Sequence, residues 1–366
     1  MNNDEIQLVA DIRPDAPPYD REARNAAKRR LVAAAGTREP RWRRSYTLAL
    51  AGALAVAVGT TAVVTAQAPG GETNRQDGGT QAVVALPEIS HMSAHEVLGR
   101  AAHAARDELD PRDDQFVKVE SQTMYGAFGE LVTNDKGETS PETRYLYRTK
   151  RAIWQSANGE KAGVLKVENL EPRVYPGWPI PQSAYKRRDD GWTRLPICEK
   201  PPAYLRNDYA SLKKLPTDAD GMRAHLYTGD RGGDSKDEAA WAAAGDMLRE
   251  NYVPAAQRAA LFKAIGTIPG VDVMENAEDA AGRKGIGVGR VSAGVREDLI
   301  FDPTTYELLG ERGVVVDEKE AKSPAGSLVA STAQLSVSVA DSLPEETPEA
   351  SDGVSVVLDG KEVSCN

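Results

Sequence analysis

From Ser45 to Gly71 the chain carries no charged residue, and four arginines, Arg38, Arg41, Arg43 and Arg44, stand just before that run. A helix rises about 1.5 Å per residue, so Tyr46–Ala66 reaches roughly 30 Å, the thickness of a bilayer core. At that depth a backbone must satisfy its own N–H and C=O groups, which a helix does. The expectation is therefore a transmembrane helix over residues 45–67. Trp42 and Tyr46 fall where amphipathic rings settle among headgroups. The segment from Arg21 to Arg44 is strongly basic, with only Glu22 and Glu39 opposing. The positive-inside rule then predicts a cytoplasmic N-terminus, residues 1–44, and an extracytoplasmic C-terminal part in the cell membrane.

Cleavage is the competing outcome. Ala66-Gln67-Ala68 fits an A-x-A processing site, and Arg43-Arg44 loosely fits a twin-arginine signal. The long apolar stretch and the patterned 44-residue leader favour a retained anchor, whose partner is the lipid bilayer. Small residues four apart, Ala51, Ala55 and Gly59, also suit close approach of a second helix.

Charge divides at the apolar run. Residues 1–44 are net +3 and the remainder net −13, which makes the full chain net −10. An acidic outer part excludes direct nucleic-acid binding by charge. The only cysteines, Cys198 and Cys365, both lie on the expected outer side, where an oxidising compartment favours a disulfide; two free thiols are the alternative.

Ahead of the span, Ile6, Val9 and Ile12 form a short helical stripe, and a second basic, Ala-rich stretch carries Leu31 and Val32. Such small segments cannot build a core alone; they read as a tail or as a segment that orders on a cytoplasmic partner. Residues 68–90 read as a linker rich in Gly, Pro and Gln. Residues 91–340 read as one α+β domain with a curved antiparallel sheet and packed helices. Its first helix has Leu98, Ala102, Ala105 and Leu109 on one face, with Val97 and Ala101 beside them, after a Ser93/Glu96 capping-box pattern. Period-two strands follow, with one wet face expected and a hairpin turn at Asn158-Gly159. Helices are expected at 208–215, 218–227 and 237–252, with Pro254 opening the next. Strands return with turns at 292–294 and 302–304. Residues 341–366 form an acidic extension.

Signals for chemistry are few. His91 and His95 stand four apart, with His103 two turns on, but the second His of an H-E-x-x-H zinc site is missing, so surface histidines and no metal are expected. Gly285, Gly287 and Gly289 lack the dinucleotide spacing and suit sheet curvature better. No catalytic residue and no cofactor are expected, and the chain reads as non-enzymatic.

Several runs resemble one known family. "LVADIRPDAPPYD" with "AAKRRLVAAA" resembles the inner segment of actinobacterial single-pass membrane proteins that have no assigned activity. "RAIWQSANGEKAG", "MLRENYVPAAQRAALFKAIGTIPGV" and "GVREDLIFDPTTYELLGER" resemble their outer domain, the Asp302–Tyr306 turn being the most specific piece. The resemblance implies an anti-sigma-like layout, in which the inner residues Ile6, Val9, Ile12, Leu31 and Val32 hold a sigma factor. It also implies an outer domain similar to lipoprotein-carrier half-barrels, which would bind a lipid or cell-wall ligand. The extension after Asp341 and the lack of a Cys/His motif in residues 1–44 depart from that pattern. Two functions are thus expected: a transmembrane regulator with an outer sensing domain, or an anchored lipid- or lipoprotein-binding protein.

Overall fold

The computed structural model describes residues 88–89, 92–106, 109–129, 132–133, 139–140, 142–185, 190–197, 206–228, 235–349, 354–358 and 361–365. The expected span over 45–67 lies outside them. Among the described residues no helix is long and apolar enough to cross a membrane.

The architecture is α+β. Strand β1 (Glu88–Ile89) leads to α1 (Ala94–Ala104), then β2 (Phe116–Gly129). A short pair, β3 (Val132–Thr133) and β4 (Thr139–Ser140), precedes the long strands β5 (Thr143–Ser156) and β6 (Gly163–Val174). After α2 (Gln182–Tyr185) and β7 (Gly191–Leu195) comes a helical insert. It holds α3 (Tyr209–Leu212), α4 (Ala219–Leu226), α5 (Lys236–Leu248) and α6 (Ala255–Ile265). A second meander follows, of β8 (Asp272–Glu278), β9 (Lys284–Ser292), β10 (Val295–Phe301) and β11 (Leu308–Val315). Then come α7 (Glu318–Ala321), β12 (Leu328–Ala340) and the hairpin of β13 (Val354–Leu358) with β14 (Lys361–Cys365). The order helix, meander, helical insert, meander is the one the residue pattern predicts.

Ten strands form one antiparallel sheet in the order β1-β8-β9-β10-β11-β12-β2-β5-β6-β7. The two meanders join where β12 lies beside β2, Val337 opposite Val119. Glu88 and Ile89, at the end of the expected linker, are the edge strand, opposite Glu275 and Met274.

Helices α1, α4, α5 and α6 pack on one face. Val97, Leu98, Met222, Leu261, Phe262 and Ile265 are buried against Val273, Val288, Leu299 and Phe301. A fully buried side chain of this kind contributes about 1.5–3 kcal/mol. Helix α5 stops at Leu248, four residues short of the expected end. Glu250 turns to φ 55°, and Pro254, one position earlier than expected, is the N-cap of α6.

The opposite face is wet only in part: Lys150 is exposed and Lys118, Glu120 and Arg148 are half-buried, as alternation predicts, but two patches of it are closed. Tyr175, just past β6, packs with Met124, Leu146, Val314 and Leu328, side chains from β2, β5, β11 and β12. Strands β6 and β11 are four spacings apart, about 19 Å in a flat sheet, so this cluster requires curvature. Arg296, Asp298 and Arg312 are buried on the same face. Arg312 Nε donates to Asp298 Oδ2 at 3.0 Å, and Arg296 Nε lies 2.8 Å from Oδ1. The glycine tract on β9 makes room for this carboxylate: a Cβ on Gly289 would stand 2.5 Å from Asp298 Oδ1.

Candidate functional site

Two places on the helical side of the domain gather chemically active side chains. The first is an open groove of about 550 Å³ between α1 and the Asp302–Tyr306 turn, lined by His95, Glu96, Gly99, Arg100, His103 and Tyr306 among others. Ser93 caps α1, its Oγ accepting from the Glu96 N–H at 3.2 Å. The Glu96 carboxylate is not turned back as a reciprocal capping box requires. It accepts from Arg100 Nη2 at 2.7 Å instead. Arg100 Nη1 donates to the Tyr306 hydroxyl at 2.6 Å, and its guanidinium lies 5.3 Å from that ring's centre.

The turn that supplies Tyr306 is held by Asp302. Its Oδ1 accepts from the N–H groups of Thr304 and Thr305, both at 2.8 Å. These bonds hold the Asp302 carboxyl below its ordinary range. Tyr306 itself sits at φ 61°, the left-handed region that bulky side chains rarely enter. Gly99 forms the floor. A Cβ there would meet nothing within 4 Å, so no neighbour demands its absence. His95, Gly99 and His103 recur four apart along one exposed stripe of α1.

The second place is closed. Arg249, at the C-terminus of α5, donates through Nε and Nη2 to Glu311 Oε2 on β11 at 2.9 and 2.7 Å, and through Nη1 to Asp246 at 2.9 Å. Beside it, Arg151 and Ser121 both donate to Glu250 Oε1 at 2.6 Å. Asn251 donates to the last α5 carbonyls, those of Asp246 and Arg249. Burial pushes the Glu311 carboxyl above its ordinary range, against the pull of Arg249, and burial raises the Tyr125 phenol as well. Glu311 Oε1 has no hydrogen-bond partner. It borders a space of about 30 Å³ next to Trp241 and Gly245, room for about one water. This network ties helix to sheet. Its groups are too enclosed to meet a solute.

Of the residues singled out from sequence, Ile6, Val9, Ile12, Leu31, Val32, His91 and Cys198 lie outside the described residues. Cys365 is on β14, opposite Val354. His95 and His103 are both on α1 and both line the groove. Among the described residues no three His, Cys, Asp or Glu side chains are grouped to hold a metal. Sequence reasoning missed Gly99 and Arg100, and it reaches Tyr306 only as part of the Asp302–Tyr306 turn, with no role attached. A signal was present for the first: a glycine in mid-helix, unfavourable by about 1 kcal/mol relative to alanine. No family model and no curated protein matches this chain.

Proposed function

We propose that the protein is a single-pass membrane regulator whose extracytoplasmic α+β domain senses a ligand in the α1 groove. The observation that carries this reading is the groove's position. It opens on α1, the first helix among the described residues, so an occupant touches a helix that follows the proposed span by fewer than thirty residues, with β1 between them. In this reading residues 1–44 face the cytoplasm. Ile6, Val9, Ile12, Leu31 and Val32 then engage a partner of the sigma-factor class. No chemistry on a substrate is proposed.

The competing reading, an anchored carrier of lipid or lipoprotein acyl chains, needs an apolar cleft between helices and sheet. At α5 that interface holds about 30 Å³ and is lined by Arg249, Glu297 and Glu311, so the regulator reading is preferred. An intact mass and N-terminal read of the native protein tests the layout. A start at Met1 in the membrane fraction is expected; a start at Pro69 in soluble material would sink the proposal. Capture of the full chain from membranes should then recover a sigma factor, and a clean native mass without lipid should accompany it.

A further inference from the structure

The groove pairs one feature that packing does not explain, Gly99, with a tyrosine that packs only partly against the helical core. A helical glycine is kept where a methyl group would fit freely, at a cost to the helix of about 0.5–1 kcal/mol. A tyrosine is kept in a left-handed conformation directly opposite. Both choices leave the space over the helix backbone open and bring a phenol against Arg100 at its rim. The Arg100 guanidinium and the His95 imidazole can donate into that space, whereas the His103 ring accepts from Arg106 Nη2 at 3.0 Å and the Thr305 hydroxyl faces Glu307. Arg106 adds a second guanidinium against the His103 ring, its Nε donating to the His103 carbonyl at 2.9 Å. The carboxylates nearby are engaged. Glu96 is held by Arg100, Asp302 by two backbone N–H groups, and Glu307 stands 3.5 Å from the Thr305 hydroxyl.

We propose that the groove over Gly99 binds a small acidic ligand through a carboxylate or phosphate group, with Arg100 as its principal partner. This deepens the sensing reading and rests on it. The guanidinium is already fixed at two points, by Glu96 and by the Tyr306 hydroxyl, so little side-chain freedom is lost when an anion docks. Its Nε has no bond to either, and the imidazoles flank it on the same helix. Gly99 lets the ligand body rest on the helix backbone, and the aliphatic floor continues at Ala104.

The test uses the full chain in a non-ionic detergent, with its four histidines carbon-13 labelled in the ring and the pH held fixed. Inorganic phosphate and glucuronate are titrated separately at matched ionic strength. Saturable shifts of the His95 and His103 ring signals are expected, assigned with His95→Gln and His103→Gln, while His225 stays still. Saturation by phosphate alone identifies a phosphate ligand, and by glucuronate alone a carboxylate ligand. Gly99→Leu fills the floor and should abolish saturation while melting no lower than the parent, because leucine favours the helix. Arg100→Gln should weaken binding by about tenfold or more, as expected for loss of a charge-assisted bond. Shifts at His95 and His103 no larger than at His225, or undiminished binding in both variants, would overturn the proposal. A native start at Pro69 would remove the regulator and leave this titration standing, so the two failures are separable.

Discussion

The domain presents two triads of arginine, glutamate and tyrosine, and it uses them in opposite ways. Arg100, Glu96 and Tyr306 meet at the rim of an open groove, where the Arg and Glu side chains are 50% and 47% exposed. Arg249 and Glu311 meet under α5, at 8% and 14%, within reach of the half-buried Tyr125. The same chemistry is adjustable in one place and fixed in the other. Water makes the difference. An exposed pair exchanges its partners for solvent at little cost, whereas a buried pair that loses one member strands a charge.

The largest expected contrast comes from deleting one acid of the closed triad. Glu311→Ala should lower unfolding free energy by about 3–5 kcal/mol in urea melts, because Arg249 is left buried without its main partner. A loss below about 1 kcal/mol would show that water reaches Arg249 and that the two triads do not differ. Next in size is the pH response, which should have opposite signs. Glu311 has its folded pKa raised above the ordinary 4.5, so its contribution is full below that value and is lost as pH rises through the folded pKa. Asp302 has its folded pKa lowered from 3.8, so its contribution is full above that value and is lost as pH falls through the folded pKa. Melting temperature against pH should therefore flatten on the acid side in Asp302→Asn and on the side above 4.5 in Glu311→Gln.

A smaller effect, with the reverse sign, is expected at the groove floor. Gly99→Ala should raise stability by about 0.5–1 kcal/mol, since the added methyl meets nothing. A loss of stability would mean that the glycine serves packing. Smallest of all, Arg100→Ala should leave the urea midpoint nearly unchanged beside Glu311→Ala in the same series, because its ion pair is exposed.

Periodicity revealed the α+β class, the buried part of the α1 stripe (Leu98 and Ala102, with Val97 and Ala101 beside them) and the turns at 159, 294 and 302, because each of these is decided by neighbours in sequence; the same stripe, continued to Ala105 and Leu109, runs past the helix end at Ala104. The closed patch with Arg296, Asp298 and Arg312 was hidden by the same rule. Alternation marks polar residues as outward, and only the curvature of the sheet encloses them. The expected end of α5 at 252 overshoots because Trp241, Ala244, Leu248 and Tyr252 keep one phase across its true end at Leu248. Asn251 ends it by donating back to the last carbonyls, a bond that spacing does not announce. The candidate site was half visible. His95 and His103 drew notice for metal chemistry, but their companions Thr305 and Tyr306 lie about two hundred residues away, and only the fold brings them together.

The pairing of β12 with β2 has a consequence for the newly made chain. Strands β2, β5, β6 and β7 are all synthesised before the residues that will cover the free side of β2, about two hundred positions later. Until then, a strand that ends up central is a bare margin fourteen residues long, open to pairing with any other extended segment. In the finished sheet β12 covers Phe116–Tyr125 of that margin, so the period before the last long strand arrives is when the molecule is most exposed to misassembly.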